Sequence, residues 1–309
     1  MKAIKGIKRI GVVTLAVAVA LSFGGCASKV STSSSAVSSE TINASNAFTE
    51  RDLSGEYDES EAVYITLDGS DITVDGEGVE IKDSTATITK EGVYVVSGSL
   101  EDGQLQVEAG DEDKVQIVLN GVAMTNSSTA PIYVLNADKV FITLASGTKN
   151  SLSTTGSFVA IDDNNIDGVI YAKDDITING SGSLDIDCYE GHGIVSKNDL
   201  KVTGGDINIS CTEDGMQGDD SVRIADGSIC INAGDDGIHS EAEVLIVDGT
   251  INVESSVEGI EGEVITVNGG EISICSSDDG FNATSGDTSS SDGTAEESNE
   301  RDFGGGMMA

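Results

Sequence analysis

The stretch DDGIHSEAEVLIVDGTINVESSV, residues 235–257, contains an acidic step, a glycine and short runs in which every second residue is apolar. The step returns as EDGMQGD (Glu213–Asp219), VEGIEGE (Val257–Glu263) and DDGFNAT (Asp278–Thr284). Its glycines stand at 168, 193, 215, 237, 259 and 280, with spacings of 25, 22, 22, 22 and 21. A fixed period near 22 marks a solenoid. Within each unit, pairs such as Val222/Ile224 and Ile229/Ile231 are followed one period later by Val244/Ile246 and Ile251/Val253. Alternation of period two sends these side chains to one face, and their β-branching favours strands. Three strands in each coil of about 22 residues predict an all-β parallel β-helix. Ile207, Ile229, Ile251 and Ile272 should stack in one buried column. Glycine at the acidic step is read as permitting the positive φ that turns carbonyls and carboxylates toward one point.

The same alternation, less regular, extends upstream, so the β-helix is assigned to 92–283. YITLDGSDITVDGEGVEIKDSTATITK (Tyr64–Lys90) supplies strands for an N-terminal cap at 48–91, since an open solenoid end must be protected from edge pairing. SKVSTSSSAVSSETINASN (Ser28–Asn46) has too few apolar groups to order itself and makes 26–47 a flexible tether. Residues 284–309 are polar and of low complexity. Lys2, Lys5, Lys8 and Arg9 precede the apolar run IGVVTLAVAVALSF, and small residues lead to Cys26. That is an export signal at 1–25, and the cysteine is similar to a bacterial lipoprotein site at which Cys26 would be lipidated. Phe23 stands where Leu is commoner, which leaves an ordinary cleaved signal open.

The 309 residues carry a net charge of −38, and loss of 1–25 with its four cations takes this to −42. Nucleic acid is a poor partner for 16 Lys+Arg against 54 Asp+Glu. A cation, or a ligand held through one, suits the surface better. In-register stacking brings Asp167, Asp214, Asp236, Glu258 and Asp279 of successive coils to about 5 Å, with Glu213, Asp235 and Asp278 one step earlier and Asp219 and Asp220 beyond the first strand. Calcium, which takes six to eight oxygens, would relieve that repulsion. The alternative is that these acids serve solubility and block edge pairing. His192 interrupts the acidic column; it and His239 occupy different repeat positions and read as turn or surface residues. Cys188 and Cys211 align in adjacent coils, as stacked thiols or as a disulfide.

FTERDLSGEYDESEA, ITKEGVYVVSGSL, DKVQIVLNGV, APIYVLNADKVFITLA and GHGIVSKNDLKVTGGDINIS resemble the carbohydrate-binding-domain lipoproteins of Gram-positive, biomass-degrading bacteria, over roughly Phe48 to Ala283. The resemblance implies a right-handed β-helix related to pectate-lyase folds, bound calcium, and affinity for acidic and cellulosic plant cell-wall polysaccharide, while the anchor and tether would place the solenoid at the extracellular face of the membrane. Family members continue past a Gly/Met-rich segment into further coils, whereas this chain ends at Ala309, which marks the tail as a candidate truncation point. Calcium on the ladder could bridge protein and uronate carboxylates. Lys173 and Lys197, with Tyr171 and Tyr189 as sugar-stacking rings, are the substrate-binding candidates. Two rivals remain: a calcium-dependent lyase using Lys173 or Lys197 as base, and a surface spacer or adhesin that binds no sugar.

Overall fold

The computed structural model describes residues 44–284, so the leader, Cys26, most of the tether and the tail lie outside the described residues. The chain winds about nine turns of a parallel β-solenoid, roughly 23 residues each. Each coil has three faces. Face one holds Met216–Gly218, Ile238–Ser240 and Ile260–Gly262, within a ten-stranded sheet. Face two holds Ser221–Ile224, Glu243–Ile246 and Val264–Val267. Face three holds Ser228–Asn232, Thr250–Ser256 and Glu271–Ser276. Faces two and three form one sixteen-stranded sheet because Lys114–Asn126 runs unbroken from one to the other.

The core is the set of inward columns. Leu184, Ile207, Ile229, Ile251 and Ile272 pair in strict succession, as do Ile176, Leu200, Val222, Val244 and Ile265. Each is fully buried except Ile265 and Ile272 in the last described coil, which are only partly covered. Ile229→Ala should therefore cost about 2–5 kcal/mol in denaturant unfolding, and Ile272→Ala distinctly less, because only the former leaves an enclosed cavity. Cys188 and Cys211 are buried, stacked free thiols.

The repeat glycines have a different cause from the one expected. None of Gly193, Gly215, Gly237 and Gly259 has positive φ. A Cβ on Gly215 would lie 2.5 Å from Ile231 Cγ2 and 2.6 Å from the Gly237 carbonyl oxygen. Glycine is needed because the core and the next coil leave no room. Positive φ belongs instead to Gly205, Gly227, Gly249 and Gly270, at the turn between faces two and three.

Two antiparallel hairpins close the N-terminal end. Ala62–Gly69 pairs with Asp71–Asp75, and Val79–Lys82 with Thr85–Ile88. Ala62–Gly69 and Thr85–Ile88 also pair in parallel with the first coil strands, so the outermost strands are Asp71–Asp75 and Val79–Lys82. The start of the expected cap behaves otherwise. From the one-turn helix Ala44–Ala47 to Glu56, the chain runs along the outside of face two as a strap. Ala47 and Phe48 pack on Leu245, and the Arg51 guanidinium lies 4.4 Å from the Phe141 ring centre. Asn179 donates to the Ser54 carbonyl and Gln116 to that of Glu56. Asp52, fully buried, ties the strap down: its carboxylate accepts from Lys139 (2.7 Å), Thr177 (2.7 Å) and the Thr49 amide (2.8 Å).

Candidate functional site

Outward residues of face one form a row from coil to coil: Tyr133, Tyr171, Val195, Gln217, His239 and Glu261. Residues 155–167 cover the first half of it. Ile166 and Phe158 pack on Tyr133, Tyr171 and Val195, while Tyr133 donates to Asp162 at 2.6 Å. Tyr171 is therefore only 3% exposed, which removes its ring from sugar stacking. Tyr189 is 62% exposed, on the turn after Ser183–Asp187.

The second half of the row is open, and beside it runs the acidic column. The amide of each column residue donates to the side chain one coil before: Asp214 to His192 Nδ1 (3.1 Å), Asp236 to Asp214 Oδ1 (3.0 Å), Glu258 to Asp236 Oδ1 (3.3 Å). This pattern fixes the carboxylates, and Asp214 and Asp236 are 5% and 3% exposed. Their Oδ2 atoms face His239 Nδ1 at 3.6 and 3.3 Å, while His192 Nε2 reaches Glu213 at 2.7 Å. Both histidines, expected in turn or surface roles, thus belong to the cluster. The signal was present in the period: 22 residues place His239 between Gln217 and Glu261, next to the acidic step.

Two triads have ligand atoms within 4.8 Å of one another: Asp214, Asp236 and His239, and Asp235, Asp236 and Glu258. Glu258 is raised to about 7, first by the hydrogen bond it shares with Asp236, then by burial and by the charges of Asp236, Glu261 and Asp278. Burial would raise Asp236 too, but its bonds with His239, Glu261 and Glu258 hold it low. His239 is raised by its bond to Asp236, against burial, and by the surrounding carboxylates. Burial would lower His192, yet Asp214, Asp167 and Glu213 raise it. Asp167 Oδ1 is buried without a hydrogen-bond partner among the described residues, and burial raises its pKa.

The remaining candidates are dispersed. Asp219 and Asp220 follow Met216–Gly218, at the opposite end of the short strand from Asp214, and Asp219 lies 3.5 Å from the Lys197 ammonium. Asp278 and Asp279 are exposed in the last described coil. Lys173 is exposed, and neither it nor Lys197 is paired with Asp214, Asp235, Asp236 or Glu258. Lys201 and Arg223 are turned to face two, where they meet Asp199 and Glu243.

A family described as carbohydrate-binding domain-containing protein matches residues 82–305. The chain belongs to this family. A relative of that description in Acetivibrio thermocellus is 35% identical over 193 residues, which cover 61% of this chain and 60% of the relative. The chain thus spans about 60% of that relative's length. A solved structure, a polysaccharide lyase-like protein from C. thermocellum in a gadolinium derivative, matches with a TM-score of 0.61 at 33% identity, over 73% of this chain and 98% of that one. The family is thus carbohydrate-binding by description, and the related solved structure is described as lyase-like.

Proposed function

We propose that this protein binds acidic plant cell-wall polysaccharide with the help of calcium, held at the cell exterior by a lipid on Cys26, and does not cleave it. The observation that carries the reading is the fixed cluster on the open half of face one. Asp235, Asp236 and Glu258 offer only oxygen within 4.8 Å, a donor set that suits a hard cation. Gadolinium, named for the related structure, is likewise a hard, oxygen-seeking ion. Asp214 and Asp236 with His239 add an imidazole nitrogen, which suits calcium less well. A cation on the oxygen triad would turn a surface that repels polyuronate into one that attracts it. A pocket of about 280 Å³, bordered by Phe158, Asp167, Glu190 and Glu213, lies one coil before the triad.

Catalysis would need a base at the bound uronate, and neither Lys173 nor Lys197 stands at the oxygen triad. Immobilised polygalacturonate should retain the protein in calcium and release it on chelation, without new unsaturated chain ends. Asp235→Asn with Glu258→Gln should weaken retention about tenfold or more, as loss of charged ligands at a metal site does. Retention that ignores chelator would defeat the calcium reading. Unsaturated ends that vanish in Lys173→Ala or Lys197→Ala would make the protein a lyase.

A further inference from the structure

The chain covers two of its own outer surfaces: face two under the strap, and the first half of face one under residues 155–167. Among the described residues no such segment covers face three. A groove of about 540 Å³ runs along it across the coils. Its floor is a row of outward side chains paired coil to coil, Ser151, Asp185, Asn208 and Cys230, with a second row through Asp187 and Asn232 beside it. Hydroxyl, amide and carboxylate groups therefore recur at the coil spacing of about 4.8 Å, close to the rise of one hexose in an extended chain. Neighbours already cooperate: Asn208 Nδ2 donates to Asp185 Oδ1 at 2.9 Å. Two residues beyond Asp187, on the turn outside the groove's lining, stands the most exposed aromatic ring among the described residues, Tyr189. Rings of this kind give a sugar an apolar face to lie on.

We infer that this groove is a second glycan site, for a neutral extended polysaccharide, and that it works without a metal ion. The ligand class follows from charge. Asp185, Asp187 and Glu254 line the groove and, among the described residues, no Lys or Arg does, so a polyuronate is repelled. No grouping of three metal-ligating side chains occurs there among the described residues, so no cation is at hand to reverse the repulsion. Hydroxyl groups, by contrast, donate well to carboxylates and exchange hydrogen bonds with Ser and Asn. The inference rests on polysaccharide binding, but not on the calcium cluster.

Cys230 supplies the reporter. It is a free, half-buried thiol in the groove floor, while Cys188 and Cys211 are buried. Alkylation of the full-length protein, followed by peptide mass spectrometry, reads Cys230 separately from Cys275 and Cys26. Burial and Glu254 push the Cys230 thiol up, so labelling is run at alkaline pH. Saturating cellohexaose or mannohexaose, with chelator present, should slow Cys230 labelling about tenfold at nine-tenths occupancy. Trigalacturonate should not. Asn208→Trp, an exposed position that fills the groove, should abolish retention on the neutral glucan and leave calcium-dependent retention of polygalacturonate unchanged. Asp235→Asn with Glu258→Gln should do the reverse. Cys230 labelling indifferent to both neutral hexaoses overturns the groove. If polygalacturonate is still retained in that case, the function proposed above stands; if neither polymer is held, both fail.

Discussion

Asp52→Ala should destabilise the protein by about 3–5 kcal/mol, the largest effect expected of any substitution outside the hydrophobic core. The carboxylate is fully buried and faces a Lys139 that is itself almost buried. Removing it leaves that ammonium without its partner, and the Thr177 hydroxyl and Thr49 amide without their acceptor. The strap would then be held only through its backbone, by bonds such as those from Thr203 and Asn179 to the Asp52 and Ser54 carbonyls. Denaturant unfolding measures the loss, and trypsin cleavage after Arg51 measures release of the strap. Lys139→Met in the same chain should restore much of the stability, since a paired charge replaced by apolar volume is tolerated far better than one left alone. A loss under about 1 kcal/mol, with no rescue, would mean that the pair is solvated and the strap incidental. The acid limit follows in sign. Burial would raise the Asp52 pKa, but its hydrogen bonds hold it at about 2, below an unfolded value near 3.9. Its contribution is thus present above about pH 4 and lost as pH falls toward 2.

The strap also shows which parts of the fold a sequence exposes. The inward columns were legible because burial imposes period two along each strand and the coil imposes period 22 between strands. Ile207, Ile229 and Ile251 must recur or the core opens. Residues 48–57 obey neither period. Their partners, such as Thr177, lie 125 positions away and are ordinary residues on a sheet surface. Nothing local distinguishes such a segment from a cap. Tyr171 was misjudged for the same reason: its ring points outward, as alternation requires, but residues 155–167 fold back over it. The acidic column was visible because it recurs beside each glycine. The period also places His239 beside that column, but His192 and His239 come from different repeat positions and meet only around Asp214, so their joint role was not legible. Even the glycines carried an ambiguous signal, since lack of space and positive φ both select the same residue.

The cluster's response to pH should reverse when calcium is added. Without a cation, Glu258 has a folded pKa of about 7, because its shared hydrogen bond with Asp236, burial and neighbouring charge favour the protonated form. A carboxyl raised above its unfolded value near 4.3 adds stability at low pH and loses it as pH climbs to about 7. His239 and His192 are raised as well, so their contribution is full below about pH 6.5 and lost as pH passes their folded values. All three groups slope the same way. The chelated protein should therefore melt at progressively lower temperature from about pH 5 to pH 8. Calcium competes with the Glu258 proton for carboxylate oxygen and is repelled by the two imidazolium charges, so its stabilisation must grow over that window. At a hundredfold excess over Kd the gain is about 2.7 kcal/mol, which for a domain of this size raises Tm by about 5–10 °C at pH 8. At pH 5 most of that increment should be gone. Glu258→Gln should flatten the chelated profile near pH 7 and shrink the calcium increment together. A calcium increment independent of pH would place the ion away from this cluster, and no increment at any pH would remove calcium from the function altogether.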